Sequence, residues 1–287
     1  MAKPELKDWV GGSEEAADIL SPEKTNALAA ALDQPAVTGD NALLPPLRHW
    51  LYFWTVAPRR QLGRDGHPAL GGFLPDVGKL WGSQTRRMWA GSRIGFHRPL
   101  MLGMPVRRIS TVESAVEKKG RSGRLVFVTV RHEIFDETGA RAITDRHDIV
   151  YREEKLDGAG TLPPPEPAPA DHHWEDNFIA DPVLLFRYSA LTFNGHRIHY
   201  DRDYAMRTEG YGGLVVHGPL LATLLVDFAA SLRPGQALLD FSFRGRRPVL
   251  DGQPFLLRAK PLSDDTLSLW IADAEGALAM TAEAQFR

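Results

Sequence analysis

The chain repeats itself, and that narrows the folds open to it more than any other feature. Residues 98–106 read RPLMLGMPV and residues 247–255 read RPVLDGQPF, a shared Arg-Pro-apolar-x-x-Gly-x-Pro-apolar pattern at an offset of 149 positions. Further on, 139–144 reads GARAIT and 276–281 reads GALAMT, at an offset of 137. The order is kept, and the first copy carries twelve extra residues between its two matches. Two short matches in register, each beside similar turn signals, point to a tandem duplication. A chain of 287 residues has room for two such copies.

Both copies read as antiparallel sheet. In the first, RLVFVTVRHEIF (124–135) is rich in β-branched and aromatic residues, DETG turns the chain, and ARAITDRHDIVYR returns. In the second, TLSLWIA (266–272), the turn DAEG and ALAMTAEAQFR do the same. Gly139 and Gly276 are expected at the positive φ of a bulged hairpin turn. Between the copies lies GAGTLPPPEPAPA (158–170), whose prolines cannot donate to a ladder and which reads as an extended linker. This divides the chain into an N-terminal half (1–157), a linker (158–172) and a C-terminal half (173–287).

The second copy has a helix just upstream of its sheet. In HGPLLATLLVDFAASLRPG, Leu220, Leu221, Leu224, Leu225 and Phe228 follow helical spacing, Pro219 suits the first helical position, and Arg233-Pro234-Gly235 stops the helix. A long buried helix wrapped by a curled antiparallel meander is the hotdog arrangement. The fold class read from the sequence is therefore α+β, a tandem (double) hotdog. The first copy lacks such a helix at the matching distance, since GHPALGGFLPDVGKL (66–80) is broken by Gly and Pro, so its helix is expected to be degenerate. A separate short helix, SPEKTNALAAALD (21–33), is expected to precede everything, with Ser21 as N-cap and Pro22 at its first position.

Composition removes several functions. There is no cysteine, which excludes disulfides, thiolate nucleophiles and cysteine metal sites. A formal net charge of −2 gives no global pull toward nucleic acid or an anionic membrane. The N-terminus has no apolar signal-like core, and the longest apolar run, 219–230, is too short to span a bilayer and contains Asp227. The expectation is a cytosolic protein.

Several motifs fail on inspection. GFLPDVGKL has the wrong glycine spacing for a phosphate loop, and Leu80 stands where a magnesium-holding hydroxyl is needed. His196-x-x-His199 lacks both the spacing and the Glu of a zincin helix, and no third ligand is evident, so no metal is expected. There is no GxSxG elbow. Asp171-His172-His173 reads as solvated. The arginines of FRGRRP (Arg244, Arg246, Arg247) read as an exposed strand end, or as a contact for the phosphates of a nucleotide tail.

The stretch 192–201, TFNGHRIHYD, crowds proton-handling groups together. With its flanks, FRYSALTFNGHRIHYD (186–201) and EGYGGLVVHGPL (209–220), it resembles the MaoC-like, or type-2 enoyl-CoA hydratase, family of double-hotdog proteins. LPPLRHWLYFW, LGRDGHP, GGFLP, RRMWAGSRIGFHRPL and GRSGRLVFVTVRHEI resemble the N-terminal half of the branch that contains mesaconyl-C4-CoA hydratases, itaconyl-CoA hydratases and mitochondrial 3-hydroxyacyl-thioester dehydratases. The likeness covers roughly residues 40–287. In that family the motif runs Asp-x-Asn-Pro-apolar-His, with Asp and His as the catalytic pair. Here His199 matches the histidine, Arg197 replaces the proline, His196 the asparagine, and Asn194 stands where the aspartate stands. An amide cannot accept and return a proton at neutral pH, so the departure challenges a two-base mechanism.

The resemblance implies reversible hydration of a short-chain, branched or dicarboxylic enoyl-CoA, with syn addition and no cofactor or metal. Hydration needs a base for the water, a proton for C2 and donors for the enolate oxygen. His199 is the expected base, because imidazole titrates near working pH. Asn194 would fix the water, and the amide of Gly218 at the helix start would hold the oxyanion. His196 is expected to orient its neighbours, and His217 either to cap the helix or to line the pocket. Tyr188 and Ser189 read either as strand residues or as lining of the thioester tunnel, and Asp201 as the N-cap of a short helix. A dicarboxylic acyl chain would need a cation, for which Arg86, Arg87, Arg93 and Arg98 are candidates. PPLRHWLYFW carries no Asn/His pair, so one active site per chain is expected, in the C-terminal half. Alternatives on the same fold are a 3-hydroxyacyl-thioester dehydratase of fatty acid synthesis, an acyl-CoA thioesterase and a non-catalytic thioester-binding subunit. The expected partner is the acyl-CoA substrate alone, with no nucleic acid and no membrane; homo-oligomerisation is left open.

Overall fold

In the computed structural model, residues 5–39, 41–68, 73–83, 85–120, 123–153 and 164–287 are described. Among these residues, ten strands form one sheet in which every neighbouring pair is antiparallel. They are β1 (Ser13–Ile19), β2 (Thr85–Phe96), β3 (Pro105–Gly120), β4 (Gly123–Phe135), β5 (Arg141–Glu153), β6 (Trp174–Ile179), β7 (Leu238–Gly245), β8 (Pro254–Pro261), β9 (Thr266–Ala272) and β10 (Leu278–Phe286). The order β1-β3-β4-β5-β2-β7-β10-β9-β8-β6 reads the same from both ends once the copies are matched, and β2 pairs with β7 at the centre.

The repeated sequence is a repeated piece of backbone. Pro105 opens β3 and Pro254 opens β8. Two residues earlier, Gly103 and Gly252 sit at φ 86° and 70°, a left-handed turn that a side chain would strain. Gly139 and Gly276 take φ 80° and 78° in the matching hairpin turns, as expected.

Among the described residues, four α-helices accompany the sheet: α1 (Pro22–Ala31), α2 (Val77–Trp81), α3 (Pro182–Leu191) and α4 (Gly218–Ser231). α4 is the long buried helix, packed against β7, β8, β9 and β10. Its apolar side, from Leu220 to Ala229, lies in the main core with residues of both halves. Asp227, the one charge in that run, forms a bidentate pair with the buried Arg48 (2.8 Å for each bond), and Gln34 joins it. The helix of the second copy is thus bonded to the first copy, which has only α2 and short turns between α1 and β2 among the described residues.

Two expectations are corrected. β1 precedes α1, so the short helix does not come first. SEEAADI reads as a polar stretch because an edge strand exposes one face, and its alternating exposure matches that position. Tyr188 and Ser189 lie in α3, not in a strand. Asp181 caps that helix by accepting from the Leu184 amide at 2.7 Å, with Pro182 at its first position, and these outweigh the β-propensity of Phe and Tyr. The helix α3 is the second-copy counterpart of α1, and the two pack together. Of the linker, 158–163 lies outside the described residues, as do 69–72 of GHPALGGFLPDVGKL. The rest of the linker runs along the β9–β10 turn, where Leu278 N–H donates to Glu166 O. Asp171 and His172 are surface residues paired with Lys260 and Glu175. Among the described residues no helix is long and apolar enough to cross a membrane.

Candidate active site

The site begins where α3 ends. Phe193 adopts φ 52°, its ring stacked on Trp54 at 5.2 Å, and Asn194 N–H returns to Ser189 O. A non-glycine residue in that region carries strain, which here is held by a stacked ring and a hydrogen bond. Asn194 then accepts the His196 amide on its Oδ1 at 3.0 Å, leaving the side-chain NH₂ as its donor end. A tight turn over Arg197–His199 aims His199 inward. Asp201 caps the following turn through the Tyr204 amide, as its sequence position suggested.

The His199 tautomer follows from its partner. Nδ1 lies 2.7 Å from the Val215 carbonyl, which can only accept, so Nδ1 carries the proton and Nε2 keeps its lone pair. Burial brings the ring's pKa down to about 4, overriding the carbonyl bond that favours the charged form. At neutral pH the imidazole is therefore an uncharged base. His217 stacks on it, with centroids 3.7 Å apart and planes 19° off parallel, and bonds Ser189 Oγ through Nε2 at 2.8 Å. His217 is the residue before α4, but its side chain does not cap the helix; it lines the site. Tyr188 is buried 4.9 Å from that ring. Gly218 is the first residue of α4, so its N–H has no intrahelical acceptor. A Cβ built on Gly218 would meet nothing within 4 Å, so the space beside this amide is open.

The N-terminal half reaches the site through the loop 63–68. The Arg197 amide donates to Asp65 O at 2.8 Å, and the Arg197 guanidinium donates to Arg64 O. Gly66, at φ 89°, crosses Gly195 so closely that a Cβ on Gly66 would overlap the Gly195 carbonyl oxygen. This crossing places His67 against His196, with ring centroids 4.2 Å apart, and His196 stands edge-on to His199 at 5.4 Å. Asp65 holds His67 by accepting from Nδ1 at 3.0 Å and from its backbone N–H at 3.0 Å. Burial would raise the Asp65 pKa, but these bonds and the His67 charge bring it down to about 2. Burial also lowers the pKa of His67, and that of His196 to about 2. Arg87 adds to the lowering of both rings.

Asn194, His196, His199, His217, Tyr188 and Gly218 therefore converge on one place. The described contacts do not join Arg244, Arg246 and Arg247 to it. Arg244 and Arg246 are exposed at the end of β7, and Arg247 lies 3.5 Å from Asp273. Asp65 and His67 were not among the expected site residues. Their only sequence signal was the LGRDGHP stretch, because their partners lie about 130 positions away. They also correct the statement that His196 has no third metal-ligand neighbour: Asp65, His67 and His196 offer ligand atoms all within 4.8 Å of one another. Both Asp65 oxygens already accept from His67, through its backbone N–H and its Nδ1, so this carboxylate is committed to holding that ring.

Comparison with known proteins gives the family and the fold. The sequence model of the family described as hydroxyacyl-thioester dehydratase type 2 matches residues 47–251. The mesaconyl-C(4)-CoA hydratase of Chloroflexus aurantiacus is 43% identical over 287 residues, covering 98% of each chain. A solved MaoC-like dehydratase superposes with a TM-score of 0.71 at 15% identity, covering 99% of each chain. A Mycobacterium tuberculosis protein described as a double hotdog does so with a TM-score of 0.60 at 15% identity, covering 99% of this chain and 98% of that one. A mirrored ten-strand sheet around one long helix, with a family match spanning both halves, makes this chain a member of the MaoC-like hydroxyacyl-thioester dehydratase type 2 family, a hydro-lyase on a double hotdog fold.

Proposed function

We propose that the chain hydrates a short enoyl-CoA to a β-hydroxyacyl-CoA, reversibly, and that mesaconyl-C4-CoA is the class of substrate it takes. The observation that carries this is the pairing of a neutral, oriented base with a helix amino end. His199 presents Nε2 as a lone pair, and the His217 ring stacked on it leads directly into Gly218.

In the proposed reaction His199 Nε2 takes a proton from water as its oxygen bonds C3. The C2–C3 π electrons move onto the thioester, and the charge on its oxygen is held by the Gly218 amide and the positive end of α4. The enolate then collapses and C2 takes a proton. His199 can return the proton it has just received, on the face from which water came, which gives syn addition with one titrating residue. That accommodates Asn194: its NH₂ group holds the water oxygen and need not titrate. The N-terminal half (1–157) would shape the acyl pocket and the C-terminal half (173–287) would carry the chemistry. Arg244 and Arg246, exposed, would meet the phosphates of CoA outside the protein.

The test is one incubation read two ways. With mesaconyl-C4-CoA, the wild-type chain should remove the enoyl absorbance without releasing free thiol. His199→Gln should lower the rate by ~10²–10⁴ with its fold retained by circular dichroism. Thiol release would mark a thioesterase, and a His199→Gln variant at full rate would overturn the assignment of the base.

A further inference from the structure

We propose that Asp251 is a positioning residue for His199: its carboxylate clamps together the two stretches of chain whose spacing sets the Nδ1 bond of the base. This rests on the hydratase reading above. His199 can act as a base at Nε2 only while its own proton stays on Nδ1, and it stays there because the Val215 carbonyl accepts from Nδ1 at 2.7 Å. That bond joins the turn that carries the ring (197–202) to the segment before α4 that carries the carbonyl (213–216). Whatever fixes one stretch against the other fixes the base.

Asp251 is bonded to both. Its Oδ1 accepts from the amide of Leu214, the residue before Val215, at 2.8 Å. The guanidinium of Arg202, three residues after His199, donates to both of its oxygens. The Asp251 side chain is only 4% exposed, and these partners are what make a buried carboxylate tolerable. The neighbouring backbone leaves room for it. A Cβ built on Gly213 would lie 2.8 Å from Asp251 Oδ1, so a side chain there would push the carboxylate away from the segment it holds.

The duplication separates this role from turn building. In the second copy, Val215 bridges Leu250, Val216 N–H donates to Val249 O, and Asp251 N–H donates to Leu214 O. The first copy makes the same bridge with Leu100, Met101 and Leu102, at the offset of 149 already seen in the repeat. Leu43 bridges Met101, Leu44 N–H donates to Leu100 O, and Leu102 N–H donates to Ala42 O. The left-handed turn that follows is shared too, at Gly103 and Gly252. Leucine therefore suffices to fold this piece of backbone. The carboxylate stands in the copy that holds the base, and the first copy has no Asn/His pair for it to serve.

The experiment replaces the acid with the residue that the first copy uses. The full chain carrying Asp251→Leu should stay folded by circular dichroism. With mesaconyl-C4-CoA its kcat should fall ~10–10²-fold while KM stays within about twofold of wild type, because a displaced base slows the chemical step. Asp251→Asn keeps an acceptor for the Leu214 amide and should recover most of that loss. The ring gives a second readout that needs no substrate. In protein with isotope-labelled histidine nitrogens, the NMR signals of His199, assigned by their loss in His199→Gln, should show the Nδ1–H tautomer alone in the wild type at neutral pH. In Asp251→Leu they should show a mixture of both tautomers. If Asp251→Leu does not fold, Gly213→Ala, whose methyl meets the carboxylate more closely than any other group, should lower kcat and mix the tautomers in the same way. A wild-type kcat, an unchanged single tautomer or a loss confined to KM in the folded variant overturns the clamp. A wild type that hydrates no thioester overturns the hydratase reading alone, and the NMR comparison still decides the clamp.

Discussion

Each site residue is defined by what its second polar atom does. His199 is a base at Nε2 because Nδ1 is committed to the Val215 carbonyl, and Asn194 is a donor because its Oδ1 is committed to the His196 amide. Gly218 is defined by the absence of a side chain. It is the first residue of α4 and its φ lies outside the left-handed region, so the sign of φ alone does not demand glycine there. The space beside its Cα is open, and in the proposed reaction the thioester would approach there. Gly218→Ala should stay folded while its kcat/KM falls at least ~10-fold, as a methyl group enters the space open to the substrate. Differential scanning calorimetry beside the enoyl-absorbance assay checks both halves. A folded variant that keeps full activity would show that the open space is not the thioester site.

At the scale of elements, the loop 63–68 and the loop 194–199 act as one unit. Their crossing at Gly66 and Gly195 tolerates no side chain, and Gly66 has a left-handed backbone besides. Gly66→Ala costs about 1–2 kcal/mol for the backbone alone, and the overlap with the Gly195 carbonyl forces the loops apart. His67 then leaves His196, and the turn that aims His199 loses the Asp65 carbonyl that accepts from Arg197. The expected outcome is a folded protein with kcat/KM reduced at least ~10-fold; a wild-type rate would detach this loop from function. This coupling also marks the boundary of what the sequence could tell. The hairpins, α4 and the repeated Gly-x-Pro turns were legible because their signals are local: alternation, helical spacing and glycines at positive φ. The residues from Asn194 to Gly218 came from the resemblance to a family motif, which also lies on one stretch of the chain. α3 was misread because two aromatic residues outweighed the cap at Asp181, and β1 was missed because an edge strand has little apolar pattern. Asp65 and His67 acquire meaning only from a contact across the two halves, which no spacing along the chain encodes.

Across the whole molecule, both halves bury histidines that the unfolded chain would protonate in mild acid. Burial depresses the pKa of His132 and His217 well below 6.5, with neighbouring histidine charge adding to it, and holds His199 at about 4. Asp145 in the first half also sits well below its ordinary value. Burial alone would raise it, but His147 and His49, bonded to it at 2.7 and 3.2 Å, keep it ionised. It therefore does not titrate in the window where the histidines act. For a group whose folded pKa is depressed, the unfolded state binds more protons between the two values, so stability is fully present above 6.5 and is lost as the pH falls toward the folded value. His199 alone, going from 6.5 to about 4, represents a loss on the order of 3 kcal/mol. Urea denaturation followed from pH 7.5 down to pH 5 should show unfolding free energy falling by at least about 1.4 kcal/mol per pH unit below 6.5, the slope of one proton. His217→Gln keeps a donor for Ser189 but cannot titrate, so its slope should be shallower by about one proton. A pH-independent stability across that range would mean that these rings are hydrated or already charged in the folded protein. His199 could not then be the neutral base on which hydration depends.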